Sequence, residues 1–186
     1  MKGILFNLAE EVVAEAHGPE VWEQVLDASG LEGAYTSLGN YPDEEFITLA
    51  VAAAEIMEAP VNDVVRSIAQ GAMPHLVEGY PGFFEGHESA RTFVLTLNEI
   101  IHPEVRKLYA GADVPEFDFG EGPNGELDVG YRSKRKLCAL AEGFIVGAAS
   151  HYRETATIEQ TSCMLDGAES CLLRCSFTKL LETPGG

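Results

Sequence analysis

Residues 117–135, FDFGEGPNGELDVGYRSKR, mark the point where the chain changes from a helical to a strand-forming pattern. Pro123-Asn124-Gly125 is a tight-turn sequence near the centre of this stretch. Apolar residues alternate with other residues on both sides of the turn: Phe117, Phe119, Leu127, Val129 and Tyr131. Such alternation is typical of paired strands with one buried face, so the stretch predicts a β-hairpin.

The chain before this hairpin has the spacing of amphipathic helices. Apolar residues recur at helical intervals over residues 1–80, and Gly18-Pro19, Pro42 and Pro60 stand where successive helices are predicted to begin. A further helix is predicted over residues 88–101. The first part of the chain is therefore expected to be all helical.

The chain after the hairpin predicts a long helix over residues 136–152 and a second hairpin around Asp166-Gly167. The predicted fold class is α+β, within a single domain of 186 residues. A helical subdomain (about 1–80) would pack on a subdomain with an antiparallel sheet and a long helix (about 81–182). A ligand site between two such halves is a common placement.

The charge of the chain restricts its partners. Thirty acidic residues against twelve Lys and Arg give a formal net charge of −18. This charge repels phosphate backbones and anionic lipid, so neither nucleic acid nor a membrane surface is an expected partner. Half of the basic residues fall in two short stretches: Arg106, Lys107, Arg132, Lys134, Arg135 and Lys136. An anionic ligand is expected near them.

The N-terminal stretch MKGILFNLAEEVV contains acidic residues and lacks the pattern of a signal peptide. No apolar run reaches the ~18 residues of a membrane span. A cytoplasmic protein is therefore expected. In that compartment the four cysteines, Cys138, Cys163, Cys171 and Cys175, are expected to be buried thiols or a metal or redox site rather than disulfides.

Tyr131, Ser133 and Arg135 are spaced two residues apart. On an extended strand all three side chains would leave one face, spread over ~13 Å. Two hydroxyls and a guanidinium suit a ligand with two separated carboxylates, since Arg pairs with a carboxylate through two parallel hydrogen bonds. The alternative is a solvated strand end that binds nothing.

His102 follows a predicted buried helix and precedes Pro103, which places an imidazole at a helix junction. A lone histidine is more often a surface or core residue than a metal ligand. An imidazole from one half and a carboxylate clamp from the other, however, together describe a heme pocket, with iron held by histidine and the propionates by Arg135.

His102, Pro115 and Tyr131-x-Ser133-x-Arg135 occur at the spacing found in the heme-nitric oxide/oxygen binding (H-NOX) domain family, which the chain resembles. The opening Met-Lys-Gly-Ile is also similar to this family. The resemblance implies that His102 is the proximal ligand of heme b and that Tyr131, Ser133 and Arg135 clamp its propionates. It also implies that Pro115 presses on the porphyrin and holds it out of plane.

Members of the family that bind oxygen stably resemble one another in having a distal tyrosine, where this chain has Leu140. The partner positions of that tyrosine correspond to Ala9 and Pro74, and Leu5 and Phe144 are further expected pocket residues. Bound oxygen carries partial negative charge and needs a hydrogen-bond donor, whereas nitric oxide and carbon monoxide do not. The resemblance therefore implies a nitric oxide sensor that also binds carbon monoxide.

The cysteines resemble a zinc site found in some stand-alone bacterial members of the family. Four thiolates suit a closed structural zinc site. Cys171 and Cys175 would lie ~13 Å apart in a regular strand, so a bulge or bend between them is required. A turn near Gly167 would place Cys163 opposite Cys171, and Cys138 would complete the set. Without the resemblance, buried thiols are the simpler interpretation.

The predicted function is a non-enzymatic sensor in which nitric oxide bound to ferrous heme breaks the bond to His102. By resemblance, the output is a separate histidine kinase or a cyclic-di-GMP enzyme (diguanylate cyclase or phosphodiesterase). An alternative is a thiol redox sensor in which zinc and the cysteines are the main input. A heme peroxidase is disfavoured, because no distal His or Arg is placed to cleave a peroxide.

Overall fold

The N-terminal half of the protein, seen in a computed structural model that describes residues 1–180, consists of four α-helices. They are α1 (Gly3–His17), α2 (Pro19–Ser29), α3 (Asp43–Ile56) and α4 (Val61–Gly79). Three acidic residues fill the first turn of α3, where the helix dipole favours negative charge. The predicted helical region is confirmed. Residues 181 and 182 of the predicted second subdomain lie outside the described residues.

The predicted helix over residues 88–101 is divided in the structure. It consists of α5 (Ala90–Val94) and a π-helical turn (Leu97–Ile101) that leads directly into α6 (His102–Leu108). The Ile101 amide donates a hydrogen bond to the carbonyl of Thr96, five residues earlier, over 3.1 Å. The expectation of one regular helix was wrong, because the apolar spacing does not distinguish a widened turn from an α-helical one. π-helical turns frequently occur at functional sites.

The C-terminal half contains one four-stranded antiparallel sheet and a long helix. The strands are β1 (Glu116–Glu121), β2 (Leu127–Arg132), β3 (Glu154–Ser162) and β4 (Cys171–Lys179), and α7 (Cys138–His151) connects β2 to β3. The order across the sheet is β1-β2-β4-β3. Phe119 pairs with Val129 in the first hairpin and Ala156 with Phe177 in the second. Both predicted hairpins and the α+β class are confirmed.

Two glycines let α7 approach α4 closely. A Cβ atom added to Gly143 would lie 2.2 Å from the Arg66 carbonyl oxygen, and one added to Gly147 would lie 2.7 Å from the Met73 Cβ. Beside this contact, the buried carboxylate of Glu142 pairs with Arg66 at 2.7 Å. The two halves are therefore joined along α4 and α7.

Each half has its own apolar core. Phe6, Trp22, Val25 and Phe46 belong to the core of the helical half. The other core lies beneath the sheet: Phe93, Val94, Leu127, Val129, Ile145 and Leu173. No helix within residues 1–180 has the length and apolar character that crossing a membrane requires.

Candidate functional site

A cavity of about 300 Å³ lies between the two halves. Helices α1, α4 and α7 supply an apolar part of its wall: Leu5, Leu8, Met73, Leu76, Leu140 and Phe144. A second part of the wall comes from α6 and the segments around the first hairpin: His102, Val105, Pro115, Tyr131, Ser133 and Arg135. A concave apolar cavity with a few polar groups is typical of a cofactor site.

His102 supplies an uncharged imidazole to this cavity. Burial lowers its pKa to about 4, and the nearby positive charge of Arg106 acts in the same direction, whereas the Pro115 backbone raises it. The Nδ1 atom is buried and has no hydrogen-bond partner among the described residues. A neutral imidazole is the form that binds metal ions. The sequence placed His102 at a helix junction, and the structure places it directly after the π-helical turn.

Tyr131, Ser133 and Arg135 all line the cavity, although they do not share one strand. Strand β2 ends at Arg132, and the next residues form a turn in which the Lys136 amide donates to the Ser133 carbonyl over 3.1 Å. The expectation of one extended strand was wrong, because the chain must reverse here to enter α7 at Cys138. The Tyr131 hydroxyl accepts a hydrogen bond from the Leu137 amide at 3.1 Å, which fixes the end of this turn.

Arg135 has two acidic neighbours that the sequence analysis missed. Its Nη1 donates to the Asp113 carbonyl oxygen at 2.6 Å, and its Nε lies 2.8 Å from Asp43 Oδ1 without the angle of a hydrogen bond. The N-terminal ammonium of Met1 lies 2.6 Å from the same Asp43 oxygen. Burial raises the pKa of Asp43, but these two cations lower it more, to a net value below its usual one. Arg135 therefore connects the loop before α7 to the start of α3.

Two residues expected in the distal pocket do not line the cavity. Ala9 is buried in the core of the helical half, and Pro74 is exposed along a second groove. Their chain neighbours Leu8 and Met73 line the cavity instead. The reason is that the side chains of consecutive residues on an α-helix point about 100° apart, so neighbouring residues lie on different faces of the helix.

Tyr80 and Tyr109 form a further contact in the cavity wall. Their hydroxyl groups hydrogen-bond to each other, and burial and this bond both raise the pKa of Tyr109. Tyr80 follows the last residue of α4, and Tyr109 follows the last residue of α6. The pair therefore ties the helix that carries His102 to α4. No local sequence pattern marks such a contact between distant residues.

Three of the four cysteines come together. The Sγ atoms of Cys138, Cys163 and Cys171 all lie within 4.8 Å of one another. Cys175 lies outside this group. Strand β4 pairs regularly with β2 from Cys171 to Cys175, and the Cys175 thiol donates a hydrogen bond to the Leu173 carbonyl oxygen. The irregularity that a four-cysteine site requires is absent from β4, and the register shift in this hairpin lies in β3. Burial raises the pKa of Cys171 to about 12.

Two of these sulfur atoms already have a spacing that suits a metal. The Cys138 and Cys163 Sγ atoms are 3.9 Å apart. Two thiolates bound tetrahedrally to zinc at about 2.3 Å lie about 3.8 Å apart. The cluster could therefore hold zinc through three thiolates, with one of four positions left to another ligand.

Several solved structures with the same fold are of H-NOX proteins. An H-NOX protein from S. oneidensis in the Fe(II)NO ligation state is 29% identical, with a TM-score of 0.88 over 96% of this chain and 100% of that chain. An H-NOX domain from Shewanella oneidensis in the Fe(II)CO ligation state is 30% identical, with a TM-score of 0.83 over 98% of this chain and 99% of that chain. An unliganded Fe(II) H-NOX protein from K. algicida is 25% identical, with a TM-score of 0.85 over 97% and 98% of the two chains.

No curated protein sequence matches the chain. The comparison with sequence models of protein families, in contrast, agrees with the structural comparisons. The sequence model described as Haem-NO-binding matches residues 2–160, a span that includes His102, Pro115 and the segment from Tyr131 to Arg135. A match over this length, together with the fold, shows that the chain belongs to the Haem-NO-binding (H-NOX) family.

Proposed function

We propose that the protein is a heme-based nitric oxide sensor. The observation that carries the proposal is the half-buried imidazole of His102, which lines an apolar cavity and whose buried Nδ1 atom has no hydrogen-bond partner among the described residues. Two related structures are of H-NOX proteins in the Fe(II)NO and Fe(II)CO ligation states. Nitric oxide and carbon monoxide are accordingly the gases proposed for this chain.

The residues of the cavity fit a heme group. His102 would bind the iron, and Tyr131, Ser133 and Arg135 would hold the propionates. Leu5, Leu140 and Phe144 would enclose the side on which gas binds, and Pro115 would contact the porphyrin. A heme bound here would supply a ferrous iron that His102 would hold and to which nitric oxide could bind, and nitric oxide binding would weaken the bond to His102.

Helix α6 begins at His102, so a bond between His102 and iron would restrain this helix. It spans only His102–Leu108, and its contacts to the rest of the protein include the bond between Tyr109 and Tyr80. Loss of a bond between His102 and iron would leave this short helix with fewer restraints, so the two halves would become free to shift. We propose that this shift regulates a separate histidine kinase or cyclic-di-GMP enzyme.

Amide hydrogen exchange can test the proposed movement of α6. Nitric oxide added to the heme-loaded ferrous protein should speed exchange of the amides of residues 104–109, while the amides of α3 serve as an internal control. Carbon monoxide, which leaves a histidine bond in place, should have a much smaller effect. Equal exchange with and without nitric oxide would contradict the proposal.

Arg135→Ala is expected to speed heme dissociation. The change removes the guanidinium that would pair with a propionate, and a hydrogen bond to a charged group contributes about 1.5–3 kcal/mol. The dissociation rate should therefore rise about 10- to 100-fold, measured as transfer of heme to an excess of apomyoglobin. Arg132→Ala is the matched control, because Arg132 is exposed and faces Glu116 and Asp118. Equal rates in both variants would show that the propionates are held elsewhere.

We also propose a structural zinc site formed by Cys138, Cys163 and Cys171. The closeness of the three Sγ atoms supports it. Burial raises the pKa of Cys138 and Cys171, so that without a cation both thiols are protonated at neutral pH. Protonated thiols are poor nucleophiles, which disfavours a thiol redox sensor as the function of the cluster.

Cys163→Ser is expected to lower the zinc content of the purified protein, measured by elemental analysis against protein concentration. Cys175→Ser should retain zinc, because the Cys175 side chain lies outside the cluster. Chelation should also lower the unfolding temperature of the unmodified protein more than that of Cys163→Ser. Loss of zinc in Cys175→Ser to the same extent would contradict the three-cysteine site.

A further inference from the structure

An asparagine links the π-helical turn before His102 to the sheet. Asn98 lies within this turn, four residues before His102. Its Nδ2 donates to the Phe117 carbonyl oxygen at 2.5 Å, and its Oδ1 accepts from the Phe117 amide at 3.4 Å. Both ends of one carboxamide therefore bind the backbone of one residue in β1. The function proposed above makes no use of Asn98.

The backbone of Phe117 can accept this contact because β1 lies at one edge of the sheet. Every second residue of an edge strand has an N–H and a C=O group that no neighbouring strand binds. A carboxamide carries one acceptor and one N–H donor side by side, so it can bind both groups at once. Asn98 thus takes the place that a residue of a further strand would occupy.

The π-helical turn determines where the His102 side chain points. The His102 amide donates to the Leu97 carbonyl, five residues earlier, as the first residue after this turn. A turn with one extra residue rotates the residues that follow it by about 100° relative to an uninterrupted α-helix. Because π-helical turns are rare in proteins, this one needs contacts that stabilise it. The hydrogen bonds of Asn98 supply such a contact from within the turn.

Phe117 also contacts His102 directly, through its ring. The centroids of the two rings are 5.6 Å apart, with 32° between the ring planes. Phe117 is buried, and both residues line the cavity. The imidazole is therefore connected to β1 twice: along the backbone through Asn98, and through the Phe117 ring.

We propose that Asn98 is a positioning residue for His102. Its carboxamide holds the π-helical turn against β1, and this contact fixes the direction in which the imidazole would meet the heme iron. Asn98 does not line the cavity, so it acts through His102 rather than on a bound group. The proposal rests on the role of His102 proposed above and adds the residue that orients it.

Amide hydrogen exchange in the heme-loaded ferrous protein tests the contact itself. Asn98→Ala removes both hydrogen bonds, so the Phe117 amide should exchange several-fold faster. The amides of Ile101 and His102, which close the π-helical turn, should also exchange several-fold faster. Glu99→Ala is the matched control, because Glu99 is exposed in the same turn and its side chain has no hydrogen bond or ion pair among the described residues. Unchanged exchange in Asn98→Ala would overturn the proposal.

The iron–histidine stretching band in the resonance Raman spectrum separates positioning from a purely structural role. If Asn98 directs the imidazole, the band of the ferrous protein should shift and broaden in Asn98→Ala and stay unchanged in Glu99→Ala. Asn98→Asp keeps an acceptor for the Phe117 amide but loses the donor, so its shift should be smaller. Faster exchange in Asn98→Ala with an unchanged band would overturn the positioning role.

The same spectra distinguish failure of this proposal from failure of the sensor function. Absence of an iron–histidine band in the unmodified ferrous protein would refute iron binding by His102 and, with it, the sensor function. A band that is present in the unmodified protein and identical in Asn98→Ala would refute the role of Asn98 alone.

Discussion

His102→Gly is expected to hold heme only when free imidazole is supplied. Glycine removes the ligand and leaves the apolar wall and the propionate clamp, so the space vacated by the ring admits imidazole in its place. The measurement is the heme retained after gel filtration, with and without imidazole in the buffer, together with the absorption spectrum of the ferrous form. We expect retention to fall strongly without imidazole and to recover with it.

His17→Gly is the matched control for this experiment. His17 is exposed at the end of α1, so the same substitution there should leave heme retention unchanged. A His102→Gly protein that keeps a five-coordinate histidine-ligated spectrum without imidazole would contradict the assignment of His102.

Leu140→Tyr is expected to convert a protein that ignores oxygen into one that binds it measurably. Leu5, Leu140 and Phe144 offer no hydrogen-bond donor to a bound ligand, and an apolar wall disfavours the charge separation in bound oxygen. A tyrosine hydroxyl at this position supplies a donor. A hydrogen bond to a charged partner contributes about 1.5–3 kcal/mol, which corresponds to about 10- to 100-fold in oxygen affinity.

Leu140→Phe separates the hydroxyl from the change in volume. Oxygen affinity is measured from the absorption spectrum of the ferrous protein as oxygen is added. We expect binding in Leu140→Tyr and none in Leu140→Phe or the unmodified protein. Equal oxygen binding in the tyrosine and phenylalanine variants would show that a donor is not what the pocket lacks.

Local chemistry predicted much of the fold. Pro19 begins α2, Asp43 begins α3, and the Pro123-Asn124-Gly125 turn joins β1 to β2 as its composition indicates. These features depend on backbone preferences of a few neighbouring residues. The widened turn at Leu97–Ile101 was missed because its apolar spacing fits an α-helix equally well.

The direction in which individual side chains point was harder to predict. The resemblance to the family places Ala9 and Pro74 in the pocket, but Leu8 and Met73 line it, since the rotation of each helix is set by its packing. Cys175 stays in the regular pairing of β4. The contact of Arg135 with Asp43 joins distant parts of the chain, and nothing in either local sequence indicates it.

The most direct test of the central claim is the absorption spectrum of the ferrous, heme-loaded protein as nitric oxide is added in steps, with a parallel sample in air. The sensor function predicts a five-coordinate nitric oxide complex, formed as the bond to His102 is lost, and no stable complex with oxygen. A nitric oxide complex that stays six-coordinate under all conditions, or a stable oxygen complex in air, would contradict it.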